Sequence, residues 1–322
     1  MPVSATNIAS SFIVTTLFVS HSSSLDHDTG PHHPERPDRI RAIDEILGQQ
    51  RFSMLRRASA PGNDRAAILR VHPKNYADAI EAATPAGGRV HLDADTVMSE
   101  KSFQAITHCV GGVTAAVDEV MRGTASNAFV AMRPPGHHAE TTQPMGFCFF
   151  NTAAIAARHA QAVHGAERVA ILDFDVHHGN GTQEIFWSDS TVLYASTHQM
   201  PLFPGTGALG QCGDHDNIVN APLSAGADGV MFREAMESRL LPRIEAFCPD
   251  LIVISAGFDA HRRDPLGGLY LVEADFAYAT ERMMEIAARH ARGRIVSVLE
   301  GGYDLEGLAL SVSAHVTALA GA

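Results

Sequence analysis

Hydrophobic positions fall into short continuous runs that alternate with longer segments of helical periodicity. The runs are almost wholly apolar and rich in β-branched residues, which is typical of parallel strands covered on both faces. Six strands are predicted, at residues 13–19, 128–132, 169–174, 191–196, 251–255 and 294–299. Seven helices are predicted, at residues 37–49, 102–121, 152–163, 181–187, 229–247, 273–292 and 305–319. This alternation predicts an α/β fold with a doubly wound parallel sheet.

Nothing in the pattern divides the chain into several domains, because it has no low-complexity linker and no internal repeat. We therefore expect one domain over residues 1–322, with residues 1–10 as a loose N-terminal tail. The apolar segment 11–20 is too short to span a membrane and lacks the basic region and cleavage site of a signal peptide. It is assigned to the first strand, and no membrane partner is expected.

Charge and cysteine content narrow the classes of function. Acidic residues outnumber basic ones by 36 to 24, which gives a formal net charge of −12. Such a surface repels nucleic acid and attracts cationic partners such as lysine-rich tails or polyamines. The four cysteines form no CxxC pair, which is typical of reduced thiols in the cytoplasm. Several of the 18 histidines are adjacent in the chain, a pattern that favours metal or proton chemistry.

Polar motifs follow five of the predicted strands at their carboxyl ends. They are RPPGHH at 133–138, DFDVHH at 173–178, STH at 196–198, GFD at 257–259 and EGGY at 300–303. Ligands bind beyond the carboxyl ends of the strands in open α/β sheets, so these motifs are expected to share one rim. A purely structural role would scatter such residues over both ends of the sheet.

The segment DFDVH predicts a metal site. Asp173, Asp175 and His177 are spaced i, i+2 and i+4, so an extended chain places them on one face. Converging carboxylates repel each other unless a cation is bound. The mixed oxygen and nitrogen set suits zinc, with Fe(II) or Mn(II) as alternatives. Asp259 is the expected third ligand, which leaves an open position for catalysis, and Asp173 is expected to orient an imidazole.

Two further motifs predict acid–base and oxyanion groups. His137 and His138 follow a rigid Pro-Pro-Gly turn, where one imidazole can accept a proton while the other stays charged. Asp173 and Asn180 are the expected partners that fix their tautomers. Tyr303 follows two glycines and can aim its hydroxyl at an oxyanion, although Gly-Gly-Tyr alone is more often a turn. The chain has no Gly-x-Ser-x-Gly elbow and no P-loop.

These motifs together resemble the histone deacetylase and acetylpolyamine amidohydrolase family. The matching segments are HDTGPHHPERPDRI (27–40), RPPGHHA (133–139), GFCFFN (146–151), DFDVHHGNGT (173–182), STHQMPLFPGTG (196–207), SAGFDAHRRDPLGG (255–268) and EGGYD (300–304). The resemblance covers essentially the whole chain after about Thr15. It implies a single-domain arginase–deacetylase fold, in which an eight-stranded parallel sheet carries helices on both faces.

The resemblance also implies the roles of individual residues. The implied zinc ligands are Asp175, His177 and Asp259. His138 would be the general base, and His137, paired with Asp173, would be the charged partner or proton donor. Tyr303 would polarise the carbonyl. A structural potassium ion is implied near Asp173, Asp175, His177, Ser196 and Thr197.

A narrow substrate channel is part of the same resemblance. Phe147 and Phe203 would form its walls, with Gly146, Gly302 and Leu266 beside them. Arg36 would lie at the channel floor, and Asp95 would be a rim carboxylate that grips the substrate. Hydroxamates, which chelate zinc, are expected to inhibit.

The pattern resembles class II members of the family, because Asn180 stands where class I enzymes carry a carboxylate. Tyr303 is present, whereas vertebrate class IIa enzymes have His, and this favours a competent deacetylase. Leu266 stands where a polyamine-selective relative has Glu, which favours acyl-lysine or neutral substrates. Three alternatives remain: a small-molecule or acetylpolyamine deacylase, a non-catalytic binder of acylated chains, and an arginase-type ureohydrolase, for which only one complete metal-ligand set is found. An oligomer is compatible with the sequence.

Overall fold

The structure is a computed structural model that describes residues 14–62 and 64–321. The predicted tail at 1–10 and the start of the first predicted strand lie outside these residues. No helix in the described part of the chain combines the length and apolar character needed to cross a bilayer.

Eight parallel strands form the central sheet. They are β1 (Thr16–Ser20), β2 (Arg56–Ser59), β5 (Asn127–Val130), β6 (Val169–Asp173), β7 (Val192–Gln199), β8 (Ile218–Leu223), β9 (Leu251–Ala256) and β10 (Ile295–Leu299). Their order across the sheet is β2-β1-β5-β10-β9-β6-β7-β8. A separate antiparallel hairpin is formed by β3 (Arg89–His91) and β4 (Val97–Ser99). The predicted parallel sheet is thus confirmed, and all six predicted strands belong to it.

Two strands of the sheet were absent from the sequence-based assignment. β2 has the sequence RRAS, and all four of its residues are exposed at one edge of the sheet. β8 is the opposite edge strand and contains Asn220 and Pro222. Neither has the continuous apolar run of a central strand, because an edge strand pairs on one side only and tolerates polar residues and proline.

Eleven α-helices are assigned within the described residues. They are α1 (Ser23–Asp26), α2 (Asp38–Leu47), α3 (Arg65–Ile68), α4 (Lys74–Ala82), α5 (Ser102–Met121), α6 (Thr152–His164), α7 (Asn180–Phe186), α8 (Gly229–Ala235), α9 (Leu241–Phe247), α10 (Glu273–His290) and α11 (Leu305–Ala320). The helix predicted at 229–247 is interrupted by a π-helical turn, Met236–Leu240. Pro242 follows this turn in the first turn of α9, where its missing N–H leaves no helical hydrogen bond unmade.

Helices cover both faces of the sheet because successive strand residues point to opposite sides. Phe18 and Leu172 pack in one hydrophobic cluster with residues of α2, α8, α10 and α11. Leu17 and Ile171 pack in a second cluster with residues of α5 and α6. The six inner strands of the sheet are therefore mainly apolar, and the predicted site motifs collect where these strands end.

Candidate active site

Three side chains converge at the carboxyl ends of β6 and β9, which are neighbours in the sheet. Asp175 and His177 follow β6, and Asp259 follows β9. The Nδ1 atom of His177 lies 3.1 Å from Oδ1 of Asp175 and 3.1 Å from Oδ2 of Asp259. All three residues are buried. The structure therefore brings together the three residues that the sequence predicts as metal ligands.

The surrounding backbone aims one oxygen of each carboxylate toward His177. Gly301 N donates to Oδ2 of Asp175 at 2.8 Å, and Val176 N donates to Oδ1 of Asp259 at 2.8 Å. Oδ1 of Asp175 and Oδ2 of Asp259 remain directed at the imidazole, although Oδ1 of Asp175 also accepts from His177 N. Two carboxylate oxygens and one imidazole nitrogen are a donor set that fits a divalent metal such as zinc.

Two glycines make this convergence possible. A Cβ atom at Gly257 would lie 2.0 Å from Oδ2 of Asp175, and one at Gly301 would lie 2.1 Å from Oδ2 of Asp259. Any larger residue would displace the carboxylates. Burial and the charge of Asp175 raise the pKa of Asp259 to about 7. A bound cation would offset this repulsion, so the electrostatics also fit a metal.

A second Asp/His/His group, between α5 and α6, has a different explanation. Oδ1 of Asp118 lies 3.0 Å from Nε2 of His159 and 2.7 Å from Nε2 of His164, and Arg122 donates to Oδ2. Arg70 lies 3.0 Å from Nδ1 of His159. Arginine can only donate, so Nδ1 of His159 accepts, and Nε2 carries a hydrogen and donates a hydrogen bond to Asp118. A protonated nitrogen cannot bind a metal, and we therefore assign this group as a hydrogen-bonded helix contact.

The two adjacent histidines lie beside the candidate metal ligands, and each has the partner named from the sequence. Nδ1 of His137 lies 3.0 Å from Oδ2 of Asp173. Nδ1 of His138 lies 2.9 Å from Oδ1 of Asn180. Nε2 of His137 is 3.8 Å from Oδ2 of Asp175, so its ring faces the candidate metal centre.

The same partners give the two rings different protonation. Burial lowers the pKa of His137, but the charges of Asp173, Asp175 and Glu300 raise it to about 10 overall. Burial and the neighbouring His137 hold the pKa of His138 well below its usual value. His137 is therefore the protonated ring at neutral pH, and His138 is the neutral one.

Asp173 has a further partner that sequence reasoning missed. The hydroxyl of Tyr194 donates to Oδ2 of Asp173 at 3.0 Å and accepts from Gly179 N at 3.0 Å. Tyr194 and Ser196 both lie on β7 with a spacing of two, and this period-2 relationship is the signal that could have found it. Ser196 is the register partner of Asp173. Ser196 and Thr197, both buried, thus lie at the strand end beside Asp173.

Tyr303 reaches the site on a short segment between β10 and α11. Its main-chain N donates to Oδ2 of Asp264 at 2.6 Å, and Asp304 N donates to the same oxygen at 3.2 Å. Gly302 has φ of +121°, a conformation that favours glycine. Burial, only partly opposed by Arg39, raises the pKa of Tyr303 well above its usual value. The phenol therefore stays protonated and can donate.

A cavity of about 280 Å³ leads to these groups. It is lined by Asp95, His138, Gly146, Phe147, His177, Leu202, Phe203, Leu266 and Tyr303. Five of the channel residues named from the sequence are in this set, and Leu202 was missed. Phe203 is 41% exposed, which places it at the mouth. Gly302 is absent from the lining, and its carbonyl instead accepts a hydrogen bond from Nε of Arg39 at 2.6 Å.

The turn that carries Phe147 packs directly on His138. A Cβ atom at Gly146 would lie 2.4 Å from Cδ2 of His138, so only glycine fits there. Gly146 N donates to Oδ1 of Asp95 at 3.2 Å, and Phe147 N donates to Oγ1 of Thr96 at 3.2 Å. Asp95 thus lines the cavity and also holds this turn.

Arg36 is not at the channel floor, and that expectation is wrong. Its side chain is 42% exposed and lies 3.5 Å from Asp38. Arg39 is the buried arginine: it bonds Glu35 and the carbonyl of Gly302, and its guanidinium lies 4.9 Å from the centre of the Tyr303 ring. Arg36 precedes α2 and faces solvent, whereas Arg39 lies on the buried face of that helix. The i, i+4 spacing of Arg39 from buried Ile43 is the signal that could have identified it.

The fold and site define a hydrolase with a parallel sheet covered by helices on both faces and a candidate metal centre at the carboxyl edge of that sheet. The profile of the histone deacetylase domain matches residues 33–319, and the chain belongs to this family. Its activity is accordingly that of a deacetylase or amidohydrolase.

Relatives and a solved structure agree with this assignment. A histone deacetylase-like amidohydrolase of Pseudomonas aeruginosa is 38% identical over 90% of this chain and 82% of its own length. A probable deacetylase of Archaeoglobus fulgidus is 38% identical over 91% of this chain and 83% of its own length. The crystal structure of the HDA15 HD domain superposes with a TM-score of 0.91 at 35% identity and covers 96% of this chain and 90% of its own. The arginase–deacetylase architecture inferred from the sequence is therefore confirmed.

Proposed function

We propose that this protein is a zinc-dependent deacylase that removes acetyl or related acyl groups from lysine side chains or similar amines. One observation carries the proposal: a single apolar cavity leads to His138, His177 and Tyr303 together. A base, a metal ligand and an oxyanion donor at the end of one cavity are what metal-assisted amide hydrolysis requires.

Asp175, His177 and Asp259 would hold the zinc ion, and the same set would also accept Fe²⁺. When bound, the metal supplies Lewis-acid chemistry: it polarises the scissile carbonyl and lowers the pKa of water. A structural potassium ion is part of the proposal. It is supported by the register of Asp173 with Ser196, which places the ends of two neighbouring strands side by side.

The remaining steps belong to side chains of this chain. His138 is neutral and buried, so it can accept the proton of the attacking water at Nε2, because Asn180 occupies Nδ1. The hydroxyl of Tyr303 donates a hydrogen bond to the oxyanion. His137, protonated and held by Asp173, donates to the leaving amine. Asn180 is uncharged and supports the imidazolium form of His138 less than a carboxylate would, which suits a base that must return its proton.

The cavity favours a neutral alkyl stem. Phe147, Phe203, Leu202 and Leu266 are its side walls, and Asp95 is a carboxylate that can accept hydrogen bonds from a substrate backbone. No second carboxylate is among the lining residues to bind a distal ammonium group. We therefore propose acylated lysine peptides, or small acylated amines without a distal charge, as substrates.

The cysteines of the described chain are free thiols, which favours a reducing compartment such as the cytoplasm.

The test is a substrate panel with protein of measured zinc content. We expect turnover of acetyl-lysine peptides to exceed that of acetylpolyamines, and a hydroxamate to abolish both. His138→Ala should remove activity and keep zinc bound. If the zinc-loaded protein hydrolyses no acylated amine and ignores hydroxamates, the proposal fails.

A further inference from the structure

Glu300 is a buried carboxylate to which the reaction steps above assign no role. It follows β10 directly and has no solvent exposure. Its Oε2 atom accepts hydrogen bonds from Gly136 N at 2.7 Å and from His137 N at 3.1 Å. Oε1 lies 3.3 Å from the hydroxyl of Ser255 on β9. A carboxylate is costly to bury, so its contacts with these two consecutive amides require an explanation.

The backbone of Glu300 is fixed just as firmly as its side chain. Its main-chain N donates to the carbonyl of Ala256 at 2.9 Å, and its carbonyl accepts from Nη2 of Arg39. The carboxylate therefore extends from a rigid strand end. It connects β10 and β9 to the turn that carries the adjacent histidines, although Gly136 is 164 residues away in the chain.

The turn itself has little room for alternative positions. A Cβ atom at Gly136 would lie 2.5 Å from Oγ1 of Thr152, so the backbone is pressed against α6 on one side. Glu300 binds the turn from the sheet. The His137 ring is fixed separately by Asp173. The main-chain amide of His137 is thus held by Glu300, its carbonyl accepts from Thr182 N at 3.2 Å, and its ring is held by Asp173.

We propose that Glu300 is a positioning residue for the reaction. The hydrogen bonds that it accepts from Gly136 N and His137 N set the distance of His137 and His138 from the candidate metal ligands. This inference rests on the proposed function for its effect on turnover. A displacement of about 1 Å at such a site costs on the order of 100-fold in rate. Substrate binding depends mainly on the cavity walls, which Glu300 does not line.

Glu300→Ala and Glu300→Gln separate hydrogen bonding from charge. The alanine variant leaves both amides without an acceptor. We expect kcat to fall about 100-fold, with KM within about threefold and zinc content and hydroxamate affinity unchanged. The glutamine variant keeps a carbonyl oxygen for both amides, and its NH₂ can face Ser255, so kcat should stay within about tenfold of the wild type. Glu285→Gln, which removes an exposed carboxylate, is the matched control.

Hydrogen exchange of the peptide that contains Gly136 and His137 tests the contact without any substrate. Exchange should accelerate in Glu300→Ala and not in Glu300→Gln or Glu285→Gln. If Glu300→Ala folds poorly, Glu300→Asp, which is too short to reach both amides, provides the same readouts. Unchanged exchange and unchanged kcat in Glu300→Ala would overturn the inference, as would a glutamine variant as slow as the alanine one. Loss of the proposed function alone would leave the exchange result intact.

Discussion

The rings of His137 and His138 lie 4.0 Å apart, centre to centre, and yet their pKa values move in opposite directions. The two partners explain the difference. Asp173 is a buried carboxylate that favours a charged ring, whereas Asn180 is an uncharged amide. A proton on His137 further disfavours one on His138, so adjacent residues of one type acquire the separate roles of acid and base.

Tyr303→Phe removes the phenol that can donate to the oxyanion. We expect kcat to fall about 100- to 1000-fold, the usual effect of losing one oxyanion donor, while zinc stays bound. Steady-state kinetics with metal analysis measure both. The exposed Tyr270→Phe is the control and should behave as the wild type. Equal turnover of Tyr303→Phe and the wild type would rule out the oxyanion role.

Asp259→Ala removes one of the two carboxylates that face Nδ1 of His177. We expect loss of both bound metal and activity, because one carboxylate and one imidazole hold zinc poorly. Metal content per chain is the measurement. Asp118→Asn, in the hydrogen-bonded group between α5 and α6, should keep one metal per chain. A full zinc complement in Asp259→Ala would contradict the ligand assignment.

Leu266→Glu places a carboxylate on the cavity wall. We expect the ratio of kcat/KM for acetylpolyamines over acetyl-lysine peptides to rise about tenfold, because the new charge attracts a distal ammonium group. Leu266→Gln has a similar size without charge, and it should leave the ratio nearly unchanged. The same shift in both variants would show that size rather than charge controls selectivity.

His315 gives a stability effect with a definite sign. Burial lowers its pKa from 6.5 to about 3, so the unfolded chain takes up a proton more readily than the folded one. The free energy of unfolding should therefore fall as pH drops from 6.5 toward 3, by up to about 1.4 kcal/mol per pH unit from this residue. Denaturant titrations of the zinc-loaded protein at several pH values measure this dependence. The free energy of unfolding of His315→Gln should change less with pH than that of the wild type. His215 is exposed, and His215→Gln should keep the wild-type dependence of the unfolding free energy on pH.

Arg36 and Arg39 differ in burial, and this predicts different costs of substitution. Arg39→Met deprives buried Glu35 of one of its partners and should lower the free energy of unfolding by about 3 kcal/mol. Arg36→Met affects an exposed ion pair and should change the free energy of unfolding by about 0.5 kcal/mol or less. Thermal unfolding of the two variants compares them directly. A larger loss for Arg36→Met would contradict the assignment of Arg39 as the buried residue.

Local patterns determined much of the fold and the centre of the site. Parallel strands buried on both faces must be apolar throughout, so six strands were visible in the sequence. The period of two in an extended chain is enough to place Asp173, Asp175 and His177 on one face. Motifs at the carboxyl ends of the strands identified Asp259 and Tyr303, and the family resemblance added most of the cavity wall.

Tertiary structure alone decided which distant groups meet. β2 carries no apolar run, and its place in the sheet depends on pairing with β1. The choice of Arg39 over Arg36 followed from the face that α2 buries. Glu300 and Gly136 meet across 164 residues. Tertiary packing determines which group pairs with a buried charge, and the periodicity of the sequence does not predict that partner.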